Sequence, residues 1–136
     1  MKTAPAKKTA STEVKHGPTR EFFTDGKLAA EGEYSAGEKV GVWKFYLRNG
    51  RLKATGRYAQ GRMDGEWQWY REHGQLMQTG AFTHETRVGR WKRYHPSGAL
   101  YDEGEYAGET KVGEWRTYDA AGQLTKITHH GLGRAA

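Results

Sequence analysis

The sequence predicts an all-β protein, an elongated single-sheet solenoid of five antiparallel β-hairpin repeats that are each 24 residues long. Three observations predict this fold class. A glycine begins each unit, and these glycines stand 24 residues apart. Each unit contains two runs of aromatic and branched residues, which are typical of β-strands. A short sequence ending in glycine separates the two runs, as in a β-hairpin.

The repeat is defined by the residue types at six positions, counted from the first glycine of each unit. The sixth position is aromatic, the tenth glycine and the twelfth leucine in all five units. The third is tryptophan, the sixteenth glycine and the eighteenth aromatic in four units each. Thr19 replaces the tryptophan in the first unit and Thr128 replaces the second glycine in the last, and terminal repeats are often atypical in this way.

The turn inside each unit is predicted to be a three-residue loop. The turn sequences are TDG, RNG, EHG, PSG and AAG. A two-residue loop centred on Ser97 and Gly98 would need a backbone N–H that Pro96 lacks. In a three-residue loop, a type I turn followed by a left-handed glycine, Pro96 and Gly98 both stand at favoured positions. We therefore expect this loop in all five units.

The loop type determines which side chains share a face of the sheet. It sets the sixth residue opposite the twelfth, so Tyr46 is expected opposite Leu52. The second aromatic, such as Tyr58, has the same parity as that leucine. We therefore expect these residues to form the packing face, where the glycine at the sixteenth position leaves space for a ring. The tryptophans are expected on the opposite face, with charged residues beside them.

Composition divides the chain into one repeat domain and two short tails. Residues 1–15 contain no aromatic residue and are rich in Lys, Ala, Thr and Ser, so we expect a flexible basic tail. Residues 16–130 form the predicted repeat domain, and residues 131–136 form a short C-terminal tail. The formal net charge is +6, and the basic excess is concentrated in the N-terminal tail and in residues 41–64.

Composition also limits the function classes. Hydrophobic residues make up 35% of the chain, and no run of them approaches the roughly 18 apolar residues of a membrane span. The chain has no cysteine, and its N-terminus lacks the apolar segment of a signal peptide. A soluble cytoplasmic protein is therefore expected.

The sequence contains no recognisable catalytic motif, such as a nucleophile elbow, a phosphate-binding loop or a zinc-protease signature. Asp102 with Glu103, or Glu31 with Glu33, could form an acid and base pair, but carboxylates on exposed strands more commonly serve solubility and cross-strand pairing. The six histidines do not recur at one repeat position, which favours surface residues over metal ligands. We expect a protein without enzymatic activity, cofactor or metal.

The recurring pattern G-x-W-x-x-Y-x-x-x-G-x-L-x-x-x-G-x-[YF] resembles the MORN repeat, and it looks closest to the bacterial variant found in YwqK-type antitoxin proteins. The resemblance covers about residues 17–128. It implies an elongated, twisted stack of antiparallel hairpins without catalytic residues. It also implies a binding role: neutralising a cognate toxin in the bacterial group, or scaffolding and proposed lipid contact in eukaryotic members.

Two surfaces are candidates for binding. The tryptophan face has two interpretations: indoles that cover the sheet and one another, or aromatic anchors presented to a partner. The candidate partner-binding residues there are Trp43, Phe45, Trp67, Trp69, Trp91, Arg93 and Trp115. Residues 43–58 also interleave aromatic rings with cations, which could bind nucleic acid or anionic lipid. The candidate electrostatic residues are Lys44, Arg48, Arg51, Lys53 and Arg57.

Three functions follow from these surfaces. The first is a protein-binding repeat module whose partner is a toxin that it neutralises. The second is electrostatic binding of nucleic acid or anionic lipid through the N-terminal tail and residues 41–64. The third is a structural scaffold or self-associating module, since open edges of the terminal hairpins could pair with another copy.

Overall fold

A computed structural model of the chain describes residues 14–131. The ten strands of this part form one antiparallel sheet in which each strand is hydrogen-bonded to the next in sequence. The predicted fold class is confirmed. The predicted tails lie outside the described residues, apart from Val14, Lys15 and Gly131. The strands are β1 (Gly17–Phe22), β2 (Leu28–Ser35), β3 (Glu38–Tyr46), β4 (Leu52–Ala59), β5 (Arg62–Tyr70), β6 (Leu76–Thr83), β7 (Thr86–Tyr94), β8 (Leu100–Ala107), β9 (Thr110–Tyr118) and β10 (Leu124–His130).

The turn inside each repeat is the predicted three-residue loop. In the fourth repeat, the backbone N–H of Gly98 donates to the carbonyl of His95 at 2.8 Å, and the N–H of His95 donates to the carbonyl of Ala99 at 2.7 Å. Pro96 therefore stands where proline is favoured in a type I turn, and Gly98 has a φ of 99° in the left-handed region. The other four repeats have the same pair of hydrogen bonds.

The turns between repeats are two-residue turns in which both residues have positive φ, the type I′ geometry that matches strand twist. The second residue of such a turn donates its N–H to a carbonyl near the start of the strand that follows the preceding turn between repeats. Gly61 donates to Lys39 at 3.0 Å, and Glu85 donates to Met63 at 2.8 Å. Successive turns are thereby linked to one another along one side of the sheet.

A β-bulge in each hairpin changes which residues share a face. Tyr46 pairs with Leu52 as predicted, but the next pair is Phe45 with Ala54, so Lys53 is left without a partner in the ladder. Beyond this extra residue the alternation of side chains is reversed. Tyr58 consequently lies on the tryptophan face, where its ring contacts Trp43. The prediction that the second aromatic packs with the leucine is wrong, because counting by twos from Leu52 passes over the bulge.

The tryptophan face is the packing face of the sheet. Among the described residues, the buried apolar side chains are Ala30, Ala54 and four tryptophans, of which Trp43 and Trp67 are 0% and 1% exposed. The other face, which we call the polar face, has residues such as Arg20, Glu31, Lys44 and Tyr46. The Tyr46 hydroxyl donates to Glu31 Oε2 at 2.6 Å there. The predicted assignment of packing and exposed faces is therefore reversed.

The glycine at the sixteenth position provides the space that a tryptophan of the next repeat occupies. Gly56 lies opposite Trp67 in the ladder between β4 and β5. A Cβ on Gly56 would lie 2.1 Å from Cδ2 of Trp67, well inside van der Waals contact. The indole N–H of Trp67 donates to the carbonyl of Arg57 at 3.0 Å, so the buried ring leaves no polar group unpaired. The sequence correctly indicated space for a ring, and that ring is the indole of the next repeat.

Replacing Gly56 with alanine should destabilise the fold, since a methyl group cannot occupy the volume of the Trp67 ring. We expect Gly56→Ala to lower the free energy of unfolding by about 3 kcal/mol, the upper part of the range for overpacked sites. Urea denaturation monitored by tryptophan fluorescence measures the change. Gly131→Ala is the matched control, because an added Cβ there meets nothing within 4 Å. Equal stability of the two variants would contradict the steric role of Gly56.

Candidate functional site on the aromatic face

The tryptophan face carries two rows of rings, and we call the surface that they form the aromatic face. The first row is a stack of the rings at the third and fifth positions of successive repeats. Neighbouring rings are 5.7 to 6.3 Å apart between centroids and inclined by 24° to 29°. This geometry corresponds to stacking. The row runs in the order Trp43, Phe45, Trp67, Trp69 and Trp91.

The second row consists of the aromatic residues at the eighteenth position, which stand edge-on between successive tryptophans. Tyr58 lies 6.3 Å from Trp43 and 5.2 Å from Trp67, with interplanar angles of 83° and 90°. Phe82 has the same relation to Trp67 and Trp91. Edge-to-face contacts place positive ring edges against negative ring faces. Each of these rings therefore joins two neighbouring repeats.

The candidate partner-binding residues differ in how much of each is accessible. Trp43, Trp67, Trp91 and Trp115 are at most 6% exposed, and their indoles already contact protein. This burial supports the structural interpretation of these four residues. Phe45 and Trp69 at the fifth position are only partly buried, and Arg93 at the same position is exposed. The accessible part of the aromatic face is therefore built from fifth-position residues.

The stack ends where Arg93 replaces an aromatic residue. The guanidinium of Arg93 donates two hydrogen bonds to Asp102, at 3.0 Å to Oδ1 and 2.6 Å to Oδ2. These bonds raise the pKa of Arg93 above its ordinary value. The Asp102 side chain is 7% exposed, whereas that of Arg93 is 50% exposed. The pair thus has a buried carboxylate and a cation that reaches the surface.

The sequence did not predict this ion pair. Asp102 was expected on an exposed strand surface beside Glu103, and that expectation is wrong for Asp102, which is buried on the aromatic face. Glu103 lies on the polar face, where its carboxylate accepts from Tyr118 at 3.2 Å. Asp102 occupies the position of the buried Ala30 and Ala54 in other repeats. A carboxylate at a position that holds a buried alanine in two other repeats was the available signal.

A groove of about 520 Å³ lies on the aromatic face next to this ion pair. Trp69, Phe82 and Trp91 provide an apolar wall. Arg93 and Asp102 contribute polar atoms to the same lining. A hollow lined by both rings and fixed hydrogen-bonding groups suits an amphipathic group of a partner.

Cations cover one side of the aromatic rows. Lys39 Nζ lies 5.1 Å from the centroid of the Trp43 ring. Lys111 Nζ lies 4.6 Å from the Trp115 ring, and Arg87 lies 5.1 Å from the Tyr106 ring. These three residues share one repeat position, the second residue of β3, β7 and β9. The contacts are cation–π interactions that also shield the indoles from solvent.

The candidate electrostatic residues do not form one surface. Lys44 and Arg57 lie on the polar face, and Lys53 is the bulged residue. Arg48 is bound to Asp25 at 2.6 Å, and Arg51 donates to the carbonyl of His73 at 2.7 Å, both at the turns inside the repeats. The cations that alternate with aromatic residues in the sequence therefore lie on different parts of the sheet and do not form a common surface with the rings.

Two of the tyrosines whose hydroxyls donate to carboxylates, Tyr34 and Tyr46, have strongly raised pKa values. Tyr34 donates to Glu21 Oε2 at 2.7 Å on the aromatic face, and Tyr46 donates to Glu31 on the polar face. Burial and the Glu21 carboxylate raise the pKa of Tyr34 to about 12. The hydrogen bond to Glu31, together with burial, raises the pKa of Tyr46 to about 12. Both phenols are therefore held in the neutral form.

A single antiparallel sheet of repeated hairpins, joined by rings on one face, defines the chain as a β-hairpin repeat protein. The sequence profile of the family described as "MORN repeat variant" matches residues 15–36, 39–60, 63–84, 87–107 and 111–130, and the chain belongs to this family. The resemblance to MORN repeats is confirmed. Residues 14–131 contain no helix with the length and apolar composition of a membrane span.

Several solved structures are similar to the chain, whereas no curated protein matches it. Among solved structures, the crystal structure of the GtfA/B complex bound to UDP and GlcNAc is similar, with 17% sequence identity and a TM-score of 0.38. The match covers 65% of this chain and 22% of that chain, so the present chain spans about a fifth of the length of the protein that it matches.

Removing Arg93 should destabilise the fold by leaving the buried Asp102 carboxylate without its partner. We expect Arg93→Ala to lower the free energy of unfolding by about 2 kcal/mol. The double variant Arg93→Ala with Asp102→Ala should recover most of this loss, since alanine is the buried residue at the same position in two other repeats. Additive effects in a double-mutant cycle, measured by urea denaturation, would contradict this account.

Tyr34 and Tyr46 should ionise at higher pH than an ordinary tyrosine. In an alkaline absorbance titration, two of the eight tyrosines are expected to ionise near pH 12. Below pH 10, the ordinary pKa of tyrosine, both phenols are neutral in the folded and in the unfolded chain, so their hydrogen bonds contribute fully to stability. Above pH 10 the phenols of the unfolded chain ionise first, so the stability of the fold should decline as the pH rises through 12. Tyr34→Phe with Tyr46→Phe should remove the late transition, and its persistence would count against these assignments.

Proposed function

We propose that the chain is a non-enzymatic protein-binding module that uses the accessible part of the aromatic face. The observation that supports this best is the partial exposure of Trp69, which stacks between the buried rings of Trp67 and Trp91. Trp69 also lines the groove beside Arg93 and Asp102. A large ring held in place by its neighbours can bind a partner with little loss of side-chain entropy.

The residue types on this surface favour a protein as the partner. Tryptophan and arginine are the types most enriched among residues that dominate binding energy, and here Trp69 and Arg93 stand at the same position of neighbouring repeats. The Arg93 guanidinium is fixed by Asp102 and the side chain is half exposed, so it can donate a further hydrogen bond to a partner. Proteins built from MORN repeats are generally modules that bind proteins or membranes.

The polar face suits a partner less well. One hollow on this face, of about 840 Å³, is lined by residues such as Arg20, Glu31, Val42 and Lys44, with no aromatic ring among its lining residues. Arg20 and Glu31 lie 3.8 Å apart and neutralise each other. This distribution of charge also gives little support to electrostatic binding of nucleic acid or anionic lipid.

A toxin that the chain neutralises is the more specific proposal. It rests on the resemblance of the repeat to the YwqK-type antitoxin proteins. A sheet that presents fixed anchors is suited to covering an active site. A cytoplasmic location would agree with that role.

A photocrosslinking experiment tests the proposed surface. p-Benzoylphenylalanine is placed at position 69 or, as a control, at position 42 on the polar face, where Val42 is 50% exposed. In cells of the source organism, we expect one dominant protein adduct from position 69 and not from position 42. Trp69→Ala should weaken binding of that purified protein by about tenfold or more, whereas Val42→Ala should leave it unchanged.

Other outcomes would contradict the proposal. Adducts from position 42 alone would move the interface to the polar face, and no protein adduct from either position would remove the protein partner. For the toxin, expression of the captured protein alone should arrest growth, and co-expression of the chain should relieve the arrest. Growth that is unaffected by the captured protein would reject the toxin while leaving protein binding intact.

A further inference from the structure

The two ends of the sheet are edge strands. Among the described residues, β1 pairs only with β2 and β10 pairs only with β9. An edge strand presents backbone donors and acceptors that another chain can pair with. Three hydrophobic side chains near these edges are well exposed: Phe22 at 58%, Leu124 at 49% and Ile127 at 41%.

Every internal junction between repeats follows the same register. The fourteenth position of one repeat pairs with the fifth of the next, as Ala54 does with Trp69. The sixteenth position pairs with the third, as Gly56 does with Trp67. The fifteenth position lies diagonal to the sixth, as Glu31 does to Tyr46, and these two are hydrogen-bonded. Continuing this register from β10 to the β1 of another copy defines three residue pairs.

The first of these pairs is Thr128 with Thr19 of the second copy. Internally it consists of a glycine and a tryptophan, and a Cβ at the glycine would lie 2.1 to 2.2 Å from the indole. At the ends both members have changed, so the side chain on β10 faces a threonine instead of an indole. Paired threonines are favourable across antiparallel strands. The Thr128 side chain would overlap the tryptophan of an internal repeat, but it has room opposite Thr19 of β1.

The second pair is Lys126 with Glu21 of the second copy. The corresponding internal pairs are Ala30 with Phe45, Ala54 with Trp69, Gln78 with Arg93 and Asp102 with Thr117. None of these joins opposite charges, whereas the terminal pair does. Lys126 is exposed, and the Glu21 side chain is 38% exposed. Opposite charges at directly paired positions stabilise a register and disfavour others.

The third pair is Ile127 with Phe22 of the second copy. All four internal equivalents are polar pairs, and two of them, Glu31 with Tyr46 and Glu103 with Tyr118, are joined by hydrogen bonds. At the two ends both members are apolar, and both are exposed within the single chain. A junction in this register would remove both side chains from water.

We propose that the chain associates head to tail, with β10 of one copy adding antiparallel to β1 of the next in the register of the internal repeats. The three terminal pairs change together. The first changes from glycine and tryptophan to two threonines, the second from pairs without opposite charges to an oppositely charged pair, and the third from polar to apolar. A head-to-tail contact uses different surfaces on its two sides, so it produces open chains or closed rings. The aromatic row would continue along the assembly with a gap at each junction.

Cysteine crosslinking tests the register, since the chain has no cysteine of its own. Full-length Thr19→Cys and Thr128→Cys proteins with different tags are mixed in a glutathione redox buffer. We expect the mixed disulfide well above the proportion given by random pairing. Thr125→Cys replaces Thr128→Cys in the control, because it is on β10 outside this register, and it should pair at random. Preferential dimers of Thr19→Cys alone, or of Thr128→Cys alone, would overturn the head-to-tail arrangement.

Charge reversal tests the Lys126 and Glu21 pair. The weight-average mass of the wild-type protein in sedimentation equilibrium should rise with concentration. Lys126→Glu and Glu21→Lys should each weaken association by about fivefold, and the double variant should restore it. A constant monomer mass, or a double variant that associates no better than the single ones, would overturn the proposal. Thermal unfolding of each variant establishes that it is folded. Trp69 takes no part in this junction, so failure here leaves the proposed binding function untouched.

Discussion

The contact between an indole and the glycine opposite it is the constraint on which the rest of this structure depends. A sheet without a second layer cannot bury large side chains between layers. Here each tryptophan lies flat over the backbone of the neighbouring repeat, where Gly56 and its equivalents have no side chain. The sheet thereby serves as its own second layer. The rings at the fifth and eighteenth positions then fill the spaces between successive indoles.

Much of this fold could be predicted from the sequence because the repeat is regular. The positions of Gly98 and Pro96 fixed the loop type, and the loop type fixed the pairing of Tyr46 with Leu52. The faces could not be assigned correctly because the bulge at Lys53 leaves no mark in the residue types. One extra residue reverses all later alternation, so a correct turn was followed by an incorrect face for Tyr58.

The candidate site was predictable only in part for a related reason. Trp69 stood out because its repeat position varies, and the structure places it partly exposed between Trp67 and Trp91. The partnership of Arg93 with Asp102 depends on two strands and on the bulge between them, so neither residue indicated it alone. The cations on residues 43–58 are close in sequence but are distributed over two faces and the turns. Proximity along a strand is a poor guide to a shared surface, since neighbours point in opposite directions.

The junction between β6 and β7 departs from the others in two ways. Its turn residues, His84 and Glu85, both have positive φ without being glycine, with values of 51° and 71°. The Trp91 N–H donates to Val88 in its own strand, whereas Trp43, Trp67 and Trp115 donate to the preceding strand. The stack of rings nevertheless continues across this junction, since the ring centroids of Trp69 and Trp91 are 5.7 Å apart. In a linear array the coupling between neighbours sets the size of the unit that unfolds together. The coupling between the third and fourth hairpins therefore rests on ring contacts, without the indole hydrogen bond that joins the other hairpins.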